Sequence, residues 1–470
     1  MRLAWAAIVL YFVRFLVGAW FNTGQEGDLW WQQWLGTYVL HHHALPHQLG
    51  PETFTASGAR WVPQEWLFGV AVALALGSHH FAWLAVAAAI AAAGALIITA
   101  WRAKRRGAST FAVGITTIFA GFAMVQSFGV RAQIFAWLLL AIVLLLLDLE
   151  GAAAFLAIPI VAIWANIHAS AMMAPVFIGA WAFGTWIEDR AWTARVERNF
   201  VVAAGSTLAV FLTPLTWDLP RYAFALQSSS IRSVILEWQP SDMLFPAFAF
   251  GVLPLLGLCA YFGIAAPRER WRDGMLFALA AVMSFLAVRH LPLAALVLAP
   301  MAAQRLSSVV PQHARINVVL HERFTETVLA ASTALTSALI FINLLHAPAI
   351  AGVALPRSAV AALARVPGTH NLYCEDFGWC SLALEEPNIR TFLDGRCDPF
   401  PPRVWRDYIA VERVAPDWRT VLQHYDADAV LVKDGRPLAQ ALALRPDWRL
   451  FYRDGRYEIF LRGQINTAQR

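Results

Sequence analysis

An α-helical polytopic membrane protein, with about 11–13 transmembrane helices and a small C-terminal α/β domain, is the fold class this sequence predicts. Three observations carry it. The 470-residue chain is 59% hydrophobic and only 14% charged, more apolar material than one water-soluble core hides. Its apolar residues gather in windows near 3–21, 66–78, 81–101, 109–127, 132–148, 151–166, 169–187, 199–214, 243–264, 273–289, 291–304 and 326–345, many of them close to the ~20 residues that cross hydrocarbon. After Leu345 the chain turns polar, with Pro- and Gly-marked turns.

The elements follow in order. The first window, Leu3 to Phe21, lacks a small-residue cleavage site and predicts a retained helix, not a removed signal peptide. A loop of about forty residues, Asn22 to Pro63, comes next, and loops of that length are usually functional or disordered. Its Trp and Leu content argues against disorder. Within it "DLWWQQWLGTYVL" puts apolar residues at 30, 31, 34, 35, 38 and 39, a helical stripe that predicts an interfacial helix with aromatics at headgroup depth. Beyond residue 350, strand-like "AVLVK" and "EIFLR" alternate with helical "DWRTVLQHY", an α/β pattern. The expected domains are residues 1–349, a transmembrane domain that includes the first outer loop 22–63, and residues 350–470, an extracytoplasmic α/β domain.

Charge sets the expected orientation. The formal charge is +5, and the basic residues cluster in "WRAKRRG", "EDRAWTARVER", "APRERWRD" and "HARINVVLHER", loops that the positive-inside rule assigns to the cytoplasm. The N-terminus is then cytoplasmic and the tail outside, which requires an odd number of crossings; of the twelve windows, 66–78 is the weakest because it is short. No Arg-rich stripe interleaved with aromatics is present, so nucleic acid is excluded as a partner. Cys374, Cys380 and Cys397 share one polar stretch without zinc spacing. One disulfide with a thiol left over, or three unrelated thiols, are the two readings.

Several residues could carry chemistry. Asp28 opens the first-loop helix, either as an N-cap or as a general base acting on an acceptor hydroxyl or amine, with Glu26 as alternative or helper. Arg131 and Arg289 border apolar windows on the expected outer side, where guanidinium forks suit phosphate oxygens and each charge demands an anionic partner. Arg14 in the first helix is a third cation, with snorkelling to the interface as its plainer role. Asn166 and His168 interrupt the apolar run at "WANIHAS", and His290 lies at the same level; all three suit a cavity wall or satisfied helix turns. Glu65 in "WVPQEWL" and Glu237 in "LEWQP" sit beside Trp, as ligands for sugar hydroxyls or as interface anchors. Six of the 13 histidines fall between residues 41 and 80, but no carboxylate or Cys completes a metal set at fixed spacing. In the tail, Asp376, Asp394, Arg396 and Asp398 lie in turn-like settings, Asp394-Gly395 foremost.

This arrangement, an N-terminal span, an outer loop opening with an Asp beside aromatics, about ten further spans and an outer α/β tail, resembles the GT-C superfamily of membrane glycosyltransferases. In detail the chain is similar to a group of bacterial integral membrane proteins of that superfamily, through "DLWWQQWLG", "FTASGARWVPQEWL", "VRAQIFAW", "WANIHAS", "VRHLPLAALVLAP" and "RTFLDGRCDPF". The resemblance implies a hexosyl- or pentosyltransferase that moves a sugar from a polyprenyl-phosphate donor to a lipid or glycan acceptor, at the outer face of the bacterial cytoplasmic membrane. It carries over one residue by position, Asp28, as catalytic base. The loop reads Glu-Gly-Asp where adjacent acids would stand, which leaves a divalent metal allowed but unsupported, and no other cofactor is implied. The rival functions are a transporter or lipid-linked-glycan flippase, since buried polar groups also mark substrate pathways, and a non-catalytic scaffold of envelope polysaccharide assembly. The absence of a repeat between halves and the one-sided polar groups argue against transport.

Overall fold

The computed structural model describes residues 2–22, 27–77, 81–227, 230–261, 270–309 and 355–463. The chain divides into two compact units, one comprising Met1–Thr23, His80–Gln227 and Arg232–Ala349, the other Gly24–His79, Ser228–Ile231 and Ile350–Arg470. The first loop and the tail thus belong to one unit.

The first unit is a helical bundle. Its elements are α1 (Arg2–Asn22) and, after the loop helices α2 (Asp28–His42) and α3 (Trp66–Gly77) of the other unit, α4 (Phe81–Arg105), α5 (Thr110–Val125), α6 (Ala132–Leu149), α7 (Ala157–Ile167), α8 (Met173–Asp189), α9 (Ala194–Ala209), α10 (Asp218–Gln227), α11 (Leu253–Tyr261), α12 (Arg270–Leu286) and α13 (Leu291–Val309). Four described helical stretches are long and apolar enough to cross a membrane: Arg2–Ala19, Trp83–Arg105, Ala132–Leu149 and Ala169–Asp189. Small residues let the helices approach, as expected where lipid removes the hydrophobic drive between them. Gly114 and Gly121 of α5 face Leu3 and Tyr11 of α1, whose side chains occupy the space a Cβ would need, and Tyr11 donates to the Ile118 carbonyl at 2.7 Å.

The basic loops meet acids at one end of this bundle. Arg102 at the end of α4 donates to Asp148 of α6 (2.7 Å), and Arg106 bridges Asp148 (3.0 Å) and Asp273 of α12 (2.8 Å). Arg195 pairs with Asp189 (2.8 Å), and Arg272 with Glu150 (3.2 Å). Charges buried at such depth persist only when paired. "HARINVVLHER" and the 326–345 window lie outside the described residues.

The second unit holds a five-stranded mixed sheet in the order β2-β1-β3-β5-β4, from β1 (His370–Cys374), β2 (Ile389–Thr391), β3 (Ala429–Lys433), β4 (Trp448–Arg453) and β5 (Tyr457–Arg462). The first three strands run parallel and the last two antiparallel to their neighbours, so helices at Phe377–Cys380, Pro402–Glu412 and Trp418–His424 supply the crossovers that parallel strands require. Leu363, Leu372, Ile389, Leu431 and Ile459 lie in its core. Cys374 and Cys380 form a disulfide, while Cys397 and Cys259 are buried free thiols. Of the two cysteine readings, the single disulfide with a thiol left over is the one observed.

The first loop completes this sheet. Thr53 bridges Thr391 in parallel fashion, with Thr391 N–H donating to the Glu52 carbonyl (2.8 Å) and Phe54 N–H to the Thr391 carbonyl (3.2 Å). The loop backbone therefore covers the β2 edge, which would otherwise present unpaired groups. The 66–78 window is the 12-residue α3, short for a crossing, and it packs along α2 with Gly36 against Gly69. Of the apolar stripe of α2, Trp31 and Leu35 are buried, as is Leu29 beside them, while Trp30, Trp34, Tyr38 and Val39 are half-buried. Trp31 owes its burial in part to Gly395 of the tail, a partner that a local hydrophobic pattern does not reveal.

Candidate active site

In the loop-and-tail unit, Asp28 is the first residue of α2 and Gly27 is the N-cap, without a side-chain cap bond. An anion in the first turn is favoured by the helix dipole, and Trp31, one turn on, donates its indole N–H to Asp28 Oδ1 at 3.3 Å. The start of α2 lies against the tail: a Cβ on Gly27 would stand 2.7 Å from Gly378 Cα. Glycine is needed there because two backbones touch. Asp376 caps the same tail turn, accepting from Gly378 N–H at 2.8 Å; burial raises its pKa, with the charges of Glu375 and Asp28 adding.

Glu65 immediately precedes α3 and is brought to the same place. Gln32, one turn beyond Asp28 on α2, donates to Glu65 Oε2, and Gln64 donates to Oε1 at 2.9 Å. Desolvation raises the Glu65 pKa to about 7, the negative charges of Asp28 and Asp398 adding to it against the two amide donors. A folded-state pKa above the unfolded value means the native protein binds the extra proton, so stability falls as pH rises from about 4.5 through about 7. Each tenfold difference in proton affinity between the folded and unfolded chain is worth about 1.4 kcal/mol. Glu65→Gln should flatten that slope of the thermal midpoint against pH; an unchanged slope would assign it to other groups.

The tail grips the loop through Arg396. This buried guanidinium makes a forked pair with Asp394 (2.9 and 2.7 Å), donates to Glu52 of the loop (2.7 Å), and stacks over Trp34 and Trp61 at 5.1 and 5.3 Å from their centroids. The carboxylates outweigh the desolvation, and the Arg396 pKa is raised. Neighbouring Gly395 donates its N–H to Ser381 Oγ (2.9 Å) and touches Trp31. Cys397 follows; burial, then the charges of Asp28, Asp398, Asp394 and Asp376, push its thiol well above the ordinary range.

A second polar group lies within the bundle unit. Arg131 caps the start of α6 and its anionic partner is Glu237, at 2.6 Å, so two residues singled out separately in the sequence form one ion pair. Arg289 stacks over Trp238 at 5.0 Å, and its charge acts on both His168 and His290. His168 Nδ1 accepts from Ser170 N–H (3.1 Å) and lies 2.7 Å from Ser170 Oγ, which assigns the ring proton to Nε2. Asn166 donates to the carbonyls of Ala162 and Leu212, both at 2.8 Å, an interhelical tie. His290 lies in the 3-10 turn Val288–His290 that opens α13. Arg14 is exposed on α1, its guanidinium near Gly18. Glu26 lies outside the described residues, and His41, His42 and His43 are exposed. Among the described residues no group of three or more His, Cys, Asp or Glu is placed to hold a metal ion.

What reading the sequence missed is Glu52 and the link that Arg396 makes from Asp394 to it. "FLDGRCDPF" signalled a turn, and a turn is what forms, but nothing local tells that its Arg reaches a carboxylate 344 positions earlier.

No family model and no curated protein matches the chain. Solved structures do. The archaeal oligosaccharyltransferase AglB from Archaeoglobus fulgidus, in complex with an inhibitory peptide and a dolichol-phosphate, aligns over 99% of this chain and 74% of its own, with 12% identity and a TM-score of 0.59. ArnT from Cupriavidus metallidurans bound to undecaprenyl phosphate aligns over 97% of both chains, with 13% identity and a TM-score of 0.52. At such identities the likeness speaks to the fold, and it runs through both the bundle and the tail. The chain has the fold of these two solved structures, in keeping with the GT-C architecture that its sequence resembles.

Proposed function

We propose that this protein transfers a sugar from a polyprenyl-phosphate-linked donor to a lipid or glycan acceptor, with Asp28 as general base. The observation that carries the reading is a carboxylate at the first turn of α2, held by Trp31 and sharing its surroundings with Glu65, in a chain of GT-C fold. Asp28 takes the proton of the acceptor O–H or N–H as that atom attacks the anomeric carbon. The bond from that carbon to the phosphate oxygen breaks, and polyprenyl phosphate leaves with the electron pair. Arg131 and Arg289 are the donor-phosphate ligands in this reading, with Arg14 as a further cation near the lipid. His168, Asn166, His290 and Glu237 line the substrate cavity, Glu26 assists Asp28, and Glu65 holds a proton beside it.

We infer that the protein works in the bacterial cytoplasmic membrane with its tail outside. The Cys374–Cys380 disulfide supports an oxidising compartment for that domain. Setting α3 aside leaves eleven apolar windows, the odd number that a cytoplasmic N-terminus and an outer tail require.

The test is acceptor-dependent release of polyprenyl phosphate by the purified protein in nanodiscs, supplied with hexosyl- and pentosyl-phosphate polyprenols and envelope extracts, read by mass spectrometry. Release supports transfer. Protein-dependent flipping of the donor in vesicles with no release overturns it in favour of transport. Within the same assay, Glu237→Gln should strengthen donor binding about two- to five-fold by removing the charge that competes with the donor phosphate for Arg131, the scale of a partly exposed ion pair. A weaker donor would instead place Glu237 against the sugar.

A further inference from the structure

We propose that Trp31 is a positioning residue for Asp28, through which the tail sets the geometry of the base; this rests on Asp28 serving as the base. Three observations meet at this indole. Its N–H donates to Asp28 Oδ1 at 3.3 Å, long for such a bond, as catalytic contacts without substrate often are. Its ring is buried and packs edge-on to Trp61 at 6.2 Å between centroids. Its Cδ1 edge abuts Gly395 so closely that a Cβ there would come within 2.7 Å of it and 2.8 Å of Ser381 Oγ. Ser381 Oγ is itself held by the Gly395 N–H at 2.9 Å, and Arg396 anchors the same turn to the loop through Glu52 at 2.7 Å.

The indole is therefore located from the tail side and locates the carboxylate on the other. An N–H directed at Oδ1 fixes the carboxyl rotamer, leaving the basic lone pairs of the other oxygen in one orientation. Misplacing a base by about 1 Å costs on the order of a hundred-fold in rate, and a single hydrogen bond to a charged group is worth about 1.5–3 kcal/mol, or ten- to a hundred-fold. A side chain that only packs has no reason to act on turnover through Asp28.

The experiment is a double-mutant cycle in nanodiscs, reading kcat and donor KM for Trp31→Phe, Asp28→Asn and the double variant. The expected result is a kcat lowered about ten-fold in Trp31→Phe with KM within two-fold of the parent, and no further loss when the change is added to Asp28→Asn. Gly395→Ala keeps the N–H but displaces the ring, and should lower kcat in the same pattern; it decides the matter if Trp31→Phe does not reach the membrane. Equal fractional losses in both backgrounds, or an unchanged kcat, overturn the proposal while leaving Asp28 as base. An Asp28→Asn protein at the parent rate overturns the base reading itself, and this one with it.

Discussion

Asp28→Asn is expected to lower acceptor-dependent release of polyprenyl phosphate by a hundred- to ten-thousand-fold, the range over which a placed general base contributes. Asparagine has nearly the same shape. Its amide oxygen still accepts from Trp31, whose N–H lies 3.3 Å from the carboxylate, and the first turn of α2 keeps Gly27 as its cap. Packing against Gly378 involves Gly27 backbone and is untouched. What disappears is a proton acceptor of carboxylate basicity. The variant should therefore fold and insert, with the thermal midpoint near that of the parent. Asp28→Glu moves the same chemistry by one methylene and should recover only part of the rate. Near-parental release by the Asn variant would reduce Asp28 to a structural residue and bring the scaffold and transport functions forward.

Replacing Arg396 by Met should cost about 3–5 kcal/mol of stability in the loop-and-tail unit, as expected when one member of a buried ion pair is removed and the other stays. Arg396 is 2% exposed and Asp394 fully buried, so Asp394 does not gain water readily when the guanidinium goes. The stacking over Trp34 and Trp61 is lost with it, worth about 0.5–2 kcal/mol for a cation over aromatic faces. Glu52→Gln keeps an acceptor for Arg396 and should cost far less. Thermal unfolding followed by tryptophan fluorescence reports the difference, because these indoles sit at the site of change. A midpoint for Arg396→Met equal to that of Glu52→Gln would show that the buried pair of Arg396 with Asp394 adds little to stability.

Much of this architecture is written in local pattern. The long first loop, the apolar windows and the α/β tail follow from hydropathy, spacing and turn chemistry, all of which act over a few residues. The charged loops could be assigned to one side by the positive-inside rule, and Arg102, Arg106, Asp148 and Asp273 pair with one another at one end of the bundle. What pattern does not encode is pairing between segments far apart in the chain. Arg131 signalled that it needs an anion without indicating Glu237, 106 positions away. The stripe of α2 announced an interfacial helix; that the tail packs against Trp31 depends on Gly395 having no side chain. Glu65 could be singled out for its neighbours, whereas its raised pKa depends on its burial, with the charges of Asp28 and Asp398 adding to it.

The pairing of Thr55 with Phe392 spans 337 positions, and that of Glu52 with Arg396 spans 344. A ribosome adding about 5–20 residues per second synthesises the tail roughly 20 to 70 seconds after the loop. Through that interval the helices of the bundle are made while Trp31 has yet to meet Gly395, and Trp34 and Trp61 have yet to meet Arg396. The surroundings of the candidate base are therefore finished late, when the tail has emerged. Chains cut short before Arg396 should lack the activity proposed for the parent however well their helices insert, a form of quality control at no extra cost: only a molecule whose tail has been translated can complete the packing around the candidate base.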